Sequence, residues 1–317
     1  MNDVSFMELL SRYCADTHLK PKSVDSYASA VRAARRHFGK ETYPSMLSRE
    51  KVCAWRKVAL RSRENPRGIV EVSWNNYVRH LAALYNFGIK HQLIMVEENP
   101  FNQVRVREPR KPKKTLQPYT IRYVREVMDV CRRFETAQGD PSKLYPAWFW
   151  ETVIEAFYFT GIRLNQLLHI KAKDVDLKRM ILVTSFEGSK TYSESVVPIA
   201  DGLYPYIAKL MLAAHREGFK REDQLFNVNR FSRRHRRKEM DINQVEHFFK
   251  RLSGFCGTRV TPHRFRHTLG TDLMEDPDRN IRVTQMILDH SSMRTTMEYV
   301  HPSVDSMRKA LNQRRCP

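Results

Sequence analysis

Apolar residues recur along the first hundred positions at helical spacing. Phe6, Leu9, Leu10 and Tyr13 make one stripe, Val24, Tyr27, Val31 and Phe38 a second, and Tyr77, Val78, Leu81 and Leu84 a third. Each keeps an apolar face every three or four residues, as a helix with one buried side does. Residues 5 to 93 therefore read as about four helices. Further along, "TIRYVREVMDVCRRF" and "PAWFWETVIEAFYF" predict two more, and after the turn at Thr160 and Gly161 the stretch "IRLNQLLHI" predicts a short one burying Leu164, Leu167 and Leu168. "RMILVTS" and "SVVPIA" alternate as strands do, on either side of "FEGSKTYSE", with Gly188 at the hairpin turn. Residues 203 to 314 return to helical spacing. The expected fold class is mainly α with a small antiparallel β-sheet.

Between the two halves the pattern breaks. "RVREPRKPKKTLQP", residues 105 to 118, holds three prolines and six basic residues with few apolar ones, and reads as an extended linker. The expected organisation is a helical domain over 1–104, a basic linker over 105–115 and a second domain over 116–317. A length of 317 residues suits two cores.

Charge then narrows the partner. Lys and Arg number 55 against 35 Asp and Glu, a formal net charge of +20, which implies a polyanion and first of all nucleic acid. The polar faces of the first domain, as in "VRAARRHFGK" and "ALRSRENPRG", are strongly basic; any one can be a merely solvated face, and together they suit DNA. The linker is either a plain spacer or a segment that lies along phosphates, closing a clamp around a duplex. An anionic lipid surface is excluded as the partner, since no apolar run nears 18 residues and no lipidation or signal-peptide pattern occurs. Five scattered cysteines, without a CxxC pair or a metal-ligand spacing, suggest a reduced intracellular protein. RNP-type aromatics, which an RNA-binding module would carry, are missing.

Candidate chemistry is spread over the second half. Thr261 and Pro262 form a helix start, threonine as cap and proline at the first position. His263 and Arg266, three apart, are expected to project together beside that N-terminus, with Phe265 and Leu269 turned to the core. His263 and His267 have the i, i+4 spacing of a metal-binding helix, but Arg264 stands where a general-base glutamate belongs and repels a cation. Arg163 opens the helix after the Thr-Gly turn, and Lys190 sits at the hairpin tip. His290 lies in the "DHSS" connection, with Ser291 or Ser292 as cap of the next helix. In that helix Met293, Met297 and Val300 form the buried stripe, so Tyr299, about 100° away from it, is expected off the core. Arg163, Lys190, His263, Arg266, His290 and Tyr299 as a set hold what phosphoryl transfer without a metal requires. Tyrosine is a nucleophile, two arginines can grip the non-bridging oxygens, and lysine and histidine can move protons.

The order of these boxes resembles the tyrosine recombinases, or phage-type integrases. "TGIRLNQLLHIKAKDVDL", "GSKTYSESVVPI", "TPHRFRHTLGTDL" and "LDHSSMRTTMEYVH" are similar, in that order, to the family's first arginine box, hairpin lysine, His-x-x-Arg box and second histidine with tyrosine. "SWNNYVRHLAALYNFGIKHQLIMVEENPF" is similar to the end of its core-binding domain. The resemblance implies a SAM-like helical core-binding domain and an α+β catalytic domain that clamp DNA. It implies that Tyr299 attacks the scissile phosphate to give a 3′-phosphotyrosyl link, that Arg163 and Arg266 bind the phosphate, and that Lys190 protonates the departing 5′ oxygen. His263 would serve in acid–base transfer and His290 would hydrogen-bond the phosphate. No cofactor is implied, neither metal nor ATP.

The partners so implied are double-stranded DNA with specific core sites and a homo-tetramer on two sites, a dimer per site and a Holliday junction between them, with accessory DNA-bending factors left open. Location would be cytoplasmic, with the nucleoid, in a bacterial or phage-encoded protein serving a mobile element, phage or plasmid. The final segment "PSVDSMRKALNQRRCP" has Val304, Met307 and Leu311 at helical spacing, suited to docking on a neighbouring protomer or on its own domain. No arm-binding segment is expected ahead of residue 5. Two positions depart from the family: Gln166 replaces an acidic residue three after the first arginine, and Asp289 replaces the glycine before the second histidine. Glutamine can hydrogen-bond a histidine without stabilising its cation. The competing readings are a type IB topoisomerase, which relaxes DNA without exchange, and a catalytically silent DNA-binding architectural protein.

Overall fold

The structure is a computed structural model that describes residues 3–109, 114–185, 194–232, 237–275, 281–299 and Arg308. Two compact units are resolved in it, Met1–Lys111 and Pro112–Pro317.

In the first unit four α-helices are described, α1 (Phe6–Thr17), α2 (Pro21–Phe38), α3 (Arg49–Ala59) and α4 (Glu71–Lys90). Ser5 caps α1 by accepting from the Glu8 N–H, and Ser48 caps α3 through the Lys51 N–H, each satisfying one of the donors a helix start leaves open. α2 begins on Pro21 and packs on α1 and α4. The stripes meet in one core where Phe6, Leu9, Val31, Trp74, Leu81 and Leu84 are buried. The buried Trp74 indole donates to the Val104 carbonyl at 3.1 Å, and Asn75 both donates to the Val106 carbonyl and accepts from its N–H. The first residues of the basic stretch are thereby fixed to α4, because a buried indole N–H needs an acceptor and an extended backbone supplies one.

The second unit is built around α6 (Ala147–Thr160), with α5 (Pro118–Gln138) and α8 (Tyr204–Arg216) against it. α6 is apolar almost all round, which marks a helix enclosed by others, and its Phe149, Trp150, Val153, Ile154 and Phe157 are all buried. Trp150 stacks on Phe248 with ring centroids 4.1 Å apart and planes 4° from parallel. Among the described residues one carboxylate is buried in this core, that of Glu155 (1% exposed), and Arg125 grips it through two hydrogen bonds of 2.7 Å. The short α7 (Leu164–Leu168) follows, then the antiparallel sheet β1 (Val175–Asp176), β2 (Ile181–Thr184) and β3 (Ser195–Pro198) in the order β1-β2-β3. β2 pairs with β3 from Ile181 opposite Pro198 to Thr184 opposite Ser195. The two-residue β1 is too short to show alternation in the sequence. The hairpin turn with Gly188 lies outside the described residues.

The remaining α-helices among the described residues are α9 (Val228–Phe231), α10 (Ile242–Phe255), α11 (Pro262–Glu275), α12 (Ile281–Ile287) and α13 (Met293–Met297). α11 packs on α6 and α12, and α12 on α13. The Leu116 N–H donates to the Thr268 hydroxyl at 2.8 Å, tying the entry of the unit to α11. The fold is mainly helical with a small antiparallel sheet. Among the described residues no helix is long and apolar enough to cross a membrane.

Candidate active site

Three chain turns converge next to α11. The first is the end of α6. Gly161 stands there with φ 59°, and a Cβ at this position would come within 2.8 Å of Leu269 and 3.1 Å of Leu288. Both the left-handed backbone and the close approach call for glycine. The turn redirects the chain so that Arg163 becomes the N-cap of α7, its N–H accepted by Gln166 Oε1 at 2.9 Å.

The second is the start of α11. Thr261 caps it through the Arg264 N–H, and Pro262 is the first helical residue. His263 is exposed in the first turn, whereas Arg266 is 4% exposed. The two therefore do not share an outward face as their spacing suggests. Arg266 is drawn inward because two backbone carbonyls at helix ends need donors: its Nη1 donates to Gly161 O at 2.8 Å and its Nη2 to Leu288 O. Burial pulls the guanidinium down to about 10, with Arg163 adding to the fall while Tyr299 and Asp289 oppose it, so it remains a cation at neutral pH. Five N–H donors leave it capacity beyond two carbonyls.

The third is the connection from α12 to α13. Asp289 has φ 48°, a region glycine enters freely and Asp or Asn tolerate. Its carboxylate lies 2.6 Å from Arg163 Nη1 and accepts from Gln166 Nε2 at 3.1 Å, while its carbonyl accepts from Arg163 Nη2 at 2.7 Å. Gln166 thus serves Arg163 and Asp289, where the sequence suggested a histidine. Next in the chain, the buried His290 shares a hydrogen bond of 3.0 Å with Thr296 Oγ1 and has its backbone N–H on Gln285 O. Ser292 is the cap of α13, accepting from the Arg294 N–H.

Tyr299 follows the end of α13 rather than lying on it, with its N–H on Thr296 O. Contrary to the off-core position that its spacing predicts, Tyr299 is 3% exposed, and Met297 of the predicted buried stripe is exposed instead. A helix of five residues does not carry the 3.6 periodicity as far as residue 299. The ring stacks on His290, centroids 5.8 Å apart and planes 13° from parallel, and covers Gly270, where a Cβ would be 2.7 Å from the ring. Its hydroxyl is 2.9 Å from His267 Nδ1 and interacts with the Arg266 guanidinium.

Of the six residues singled out by the sequence, Arg163, Arg266, His290 and Tyr299 come together here. His263 joins them through His267, the ring centroids being 4.2 Å apart and roughly perpendicular. Lys190 lies outside the described residues, as does the segment with Val304, Met307 and Leu311. The sequence points to His267 only as a metal ligand, through its i, i+4 spacing from His263. Among the described residues no group of three or more metal-ligating side chains occurs. The signal for its present place was its position directly after Arg266, one turn below His263.

A buried tyrosine thus stands among two arginines and two histidines, and the comparisons identify the family. Residues 123–305 match the profile of the phage integrase family. The chain belongs to that family, the tyrosine recombinases, a class of site-specific DNA recombinases. It is 39% identical over 308 residues to a provisionally named tyrosine recombinase XerC of Pseudomonas aeruginosa, across 97% of this chain and 71% of the relative. A counterpart in Pseudomonas syringae is 38% identical across 99% of this chain and 65% of its own length. Among solved structures, the Tn1549 transposon integrase in complex with a circular intermediate DNA superimposes with a TM-score of 0.73 at 20% identity, covering 98% of this chain and all of that one. The XerH site-specific recombinase bound to difH substrate gives 0.71 at 16% identity, over 96% and 83%. At such identities these two speak for the fold.

Proposed function

We propose that this chain cuts and rejoins duplex DNA at specific core sites through a 3′-phosphotyrosine on Tyr299. The observation that carries the reading is the placement of the Tyr299 hydroxyl against His267 and Arg266, with His290 on the ring face and Arg163 held beside Asp289. In the Michaelis complex Arg266 and Arg163 hold the non-bridging oxygens and offset the negative charge of the pentavalent transition state. His290 hydrogen-bonds the phosphate, His263 takes part in proton transfer, and Lys190 protonates the 5′ oxygen that leaves. The bond energy is kept in the phosphotyrosyl ester, so rejoining by a second 5′ hydroxyl needs no external energy source.

The larger assembly follows from the same reading. The 1–104 region is the core-binding domain and 116–317 the catalytic domain, and the net charge of +20 supports a clamp on DNA. Two sites held by four protomers, exchanging strands through a Holliday junction, would serve a phage, plasmid or other mobile element in the bacterial cytoplasm.

The test is covalent capture. The chain is incubated with a randomised duplex library carrying nicks, adducts surviving detergent are recovered, and the selected duplex is then used as a suicide substrate. The unaltered chain should yield an adduct, while Tyr299→Phe should bind the same duplex and yield none. Adduct of normal yield from Tyr299→Phe, or none from the unaltered chain, would sink the reading. Relaxation of supercoiled plasmid without exchange between two selected sites would point to topoisomerase activity.

A further inference from the structure

We propose that His267 is a catalytic residue, the group that takes the proton from the Tyr299 hydroxyl as its oxygen attacks phosphorus. This rests on the reading of Tyr299 as nucleophile. A phenol with an ordinary pKa near 10 is a weak nucleophile at neutral pH unless a base removes its proton during attack. The base must lie within hydrogen-bond reach of that proton, about 2.6 to 3.2 Å between heavy atoms. His267 Nδ1 meets the condition at 2.9 Å.

The surroundings suit the role. His267 is 8% exposed, and Arg266, its neighbour in the chain, carries a positive charge beside the same hydroxyl. A neutral imidazole has one ring nitrogen able to accept when the other holds the proton. In the proposed step the phenol is the donor and Nδ1 the acceptor. Other titratable groups lie on the same helix and on neighbouring elements. His263 lies one turn up the same helix, His290 stacks on Tyr299, and Asp289 and Arg163 form the ion pair beyond Arg266. On α6, which packs against α11, Glu155 is taken up by Arg125 and Glu151 lies near Arg132. The exposed His263 is at the rim, whereas His267 is at the reacting atom.

The step balances without a co-reactant. The phenolic proton passes to Nδ1, the Tyr299 oxygen forms its bond to phosphorus, and the bond from phosphorus to the 5′ oxygen breaks with its electron pair leaving on that oxygen. The leaving oxygen takes its proton from a separate donor, Lys190 in the reading above. On rejoining, the imidazolium returns its proton to the departing phenolate.

His267→Gln keeps a hydrogen bond to Tyr299 but cannot accept the proton. With the duplex recovered by covalent capture, it should bind like the parent and form adduct about 100- to 10,000-fold more slowly in a single turnover. It should also lose the fall in rate on acidification that a histidine base gives the parent. A duplex with sulfur in place of the bridging 5′ oxygen needs no proton on its leaving group. It should rescue Lys190→Ala and leave His267→Gln slow. A rate within threefold of the parent, or rescue of His267→Gln by sulfur, would overturn the proposal. Should His267→Gln not fold, nitrogen NMR of the ¹⁵N-histidine-labelled unaltered chain decides, with Tyr299→Phe as reference. The ring nitrogen that responds to loss of the Tyr299 hydroxyl should be unprotonated at pH 8, and a proton on it would overturn the assignment. Adduct from Tyr299→Phe strikes the nucleophile itself; an active His267→Gln beside a dead Tyr299→Phe strikes only His267.

Discussion

The Asp289 carboxylate lies 2.6 Å from the Arg163 guanidinium, although 126 residues separate them in the chain. The two departures from the family pattern are thus one arrangement. Where an acidic residue is usual on α7, Gln166 stands, and its amide donates to the same carboxylate oxygen. The carboxylate beside Arg163 here belongs to Asp289, at a backbone position suited to glycine.

That relationship predicts a coupled pair of substitutions. Asp289→Gly removes the carboxylate while keeping the left-handed backbone, and should slow adduct formation by about 10- to 100-fold through a loosened Arg163, equivalent to the ~1.5–3 kcal/mol of a charged hydrogen bond. Gln166→Glu alone places two carboxylates in contact and should also be harmful. The double variant should recover most of the loss, with a coupling of about 1–3 kcal/mol in a double-mutant cycle. Strict additivity of the two single effects would refute the exchange.

Arg266 is a structural group as well as a candidate phosphate ligand. In Arg266→Lys one ammonium replaces a fork that serves Gly161 O and Leu288 O together, and the two helix-end carbonyls no longer share a rigid partner. Thermal denaturation should show a loss of about 1–3 kcal/mol, and the rise in midpoint on adding the selected duplex should shrink. An unchanged midpoint would mean that the carbonyls are served otherwise.

Gly270 separates stability from activity. A mid-helix glycine costs roughly 1 kcal/mol relative to alanine, so Gly270→Ala gains helix propensity while its methyl meets the Tyr299 ring at 2.7 Å and Leu288 at 3.1 Å. The thermal midpoint should stay within a few degrees while adduct formation falls at least about tenfold, since a small misplacement of a reacting atom is costly. Equal cleavage by this variant would show that Tyr299 leaves Gly270 before it reacts.

Much of this protein is written in local pattern. The stripes of Phe6, Leu9 and Leu10 and of Val78, Leu81 and Leu84, the Thr261-Pro262 helix start and the strands at 181–184 and 195–198 follow from side-chain period, capping and turn chemistry between near neighbours. The candidates for acting on a phosphate are named by side-chain chemistry and by the resemblance of the four boxes. What local pattern could not decide is which way they face. The inward turn of Arg266 depends on carbonyls supplied by Gly161 and Leu288, and the burial of Tyr299 on His267, Gly270 and His290. The pairing of Asp289 with Arg163 and Gln166 joins two ends of the second unit. Hydrogen-bond partners and packing surfaces that arrive from distant segments exist only once the chain has closed, and they fixed both the position of Tyr299 and the place of His267 beside it.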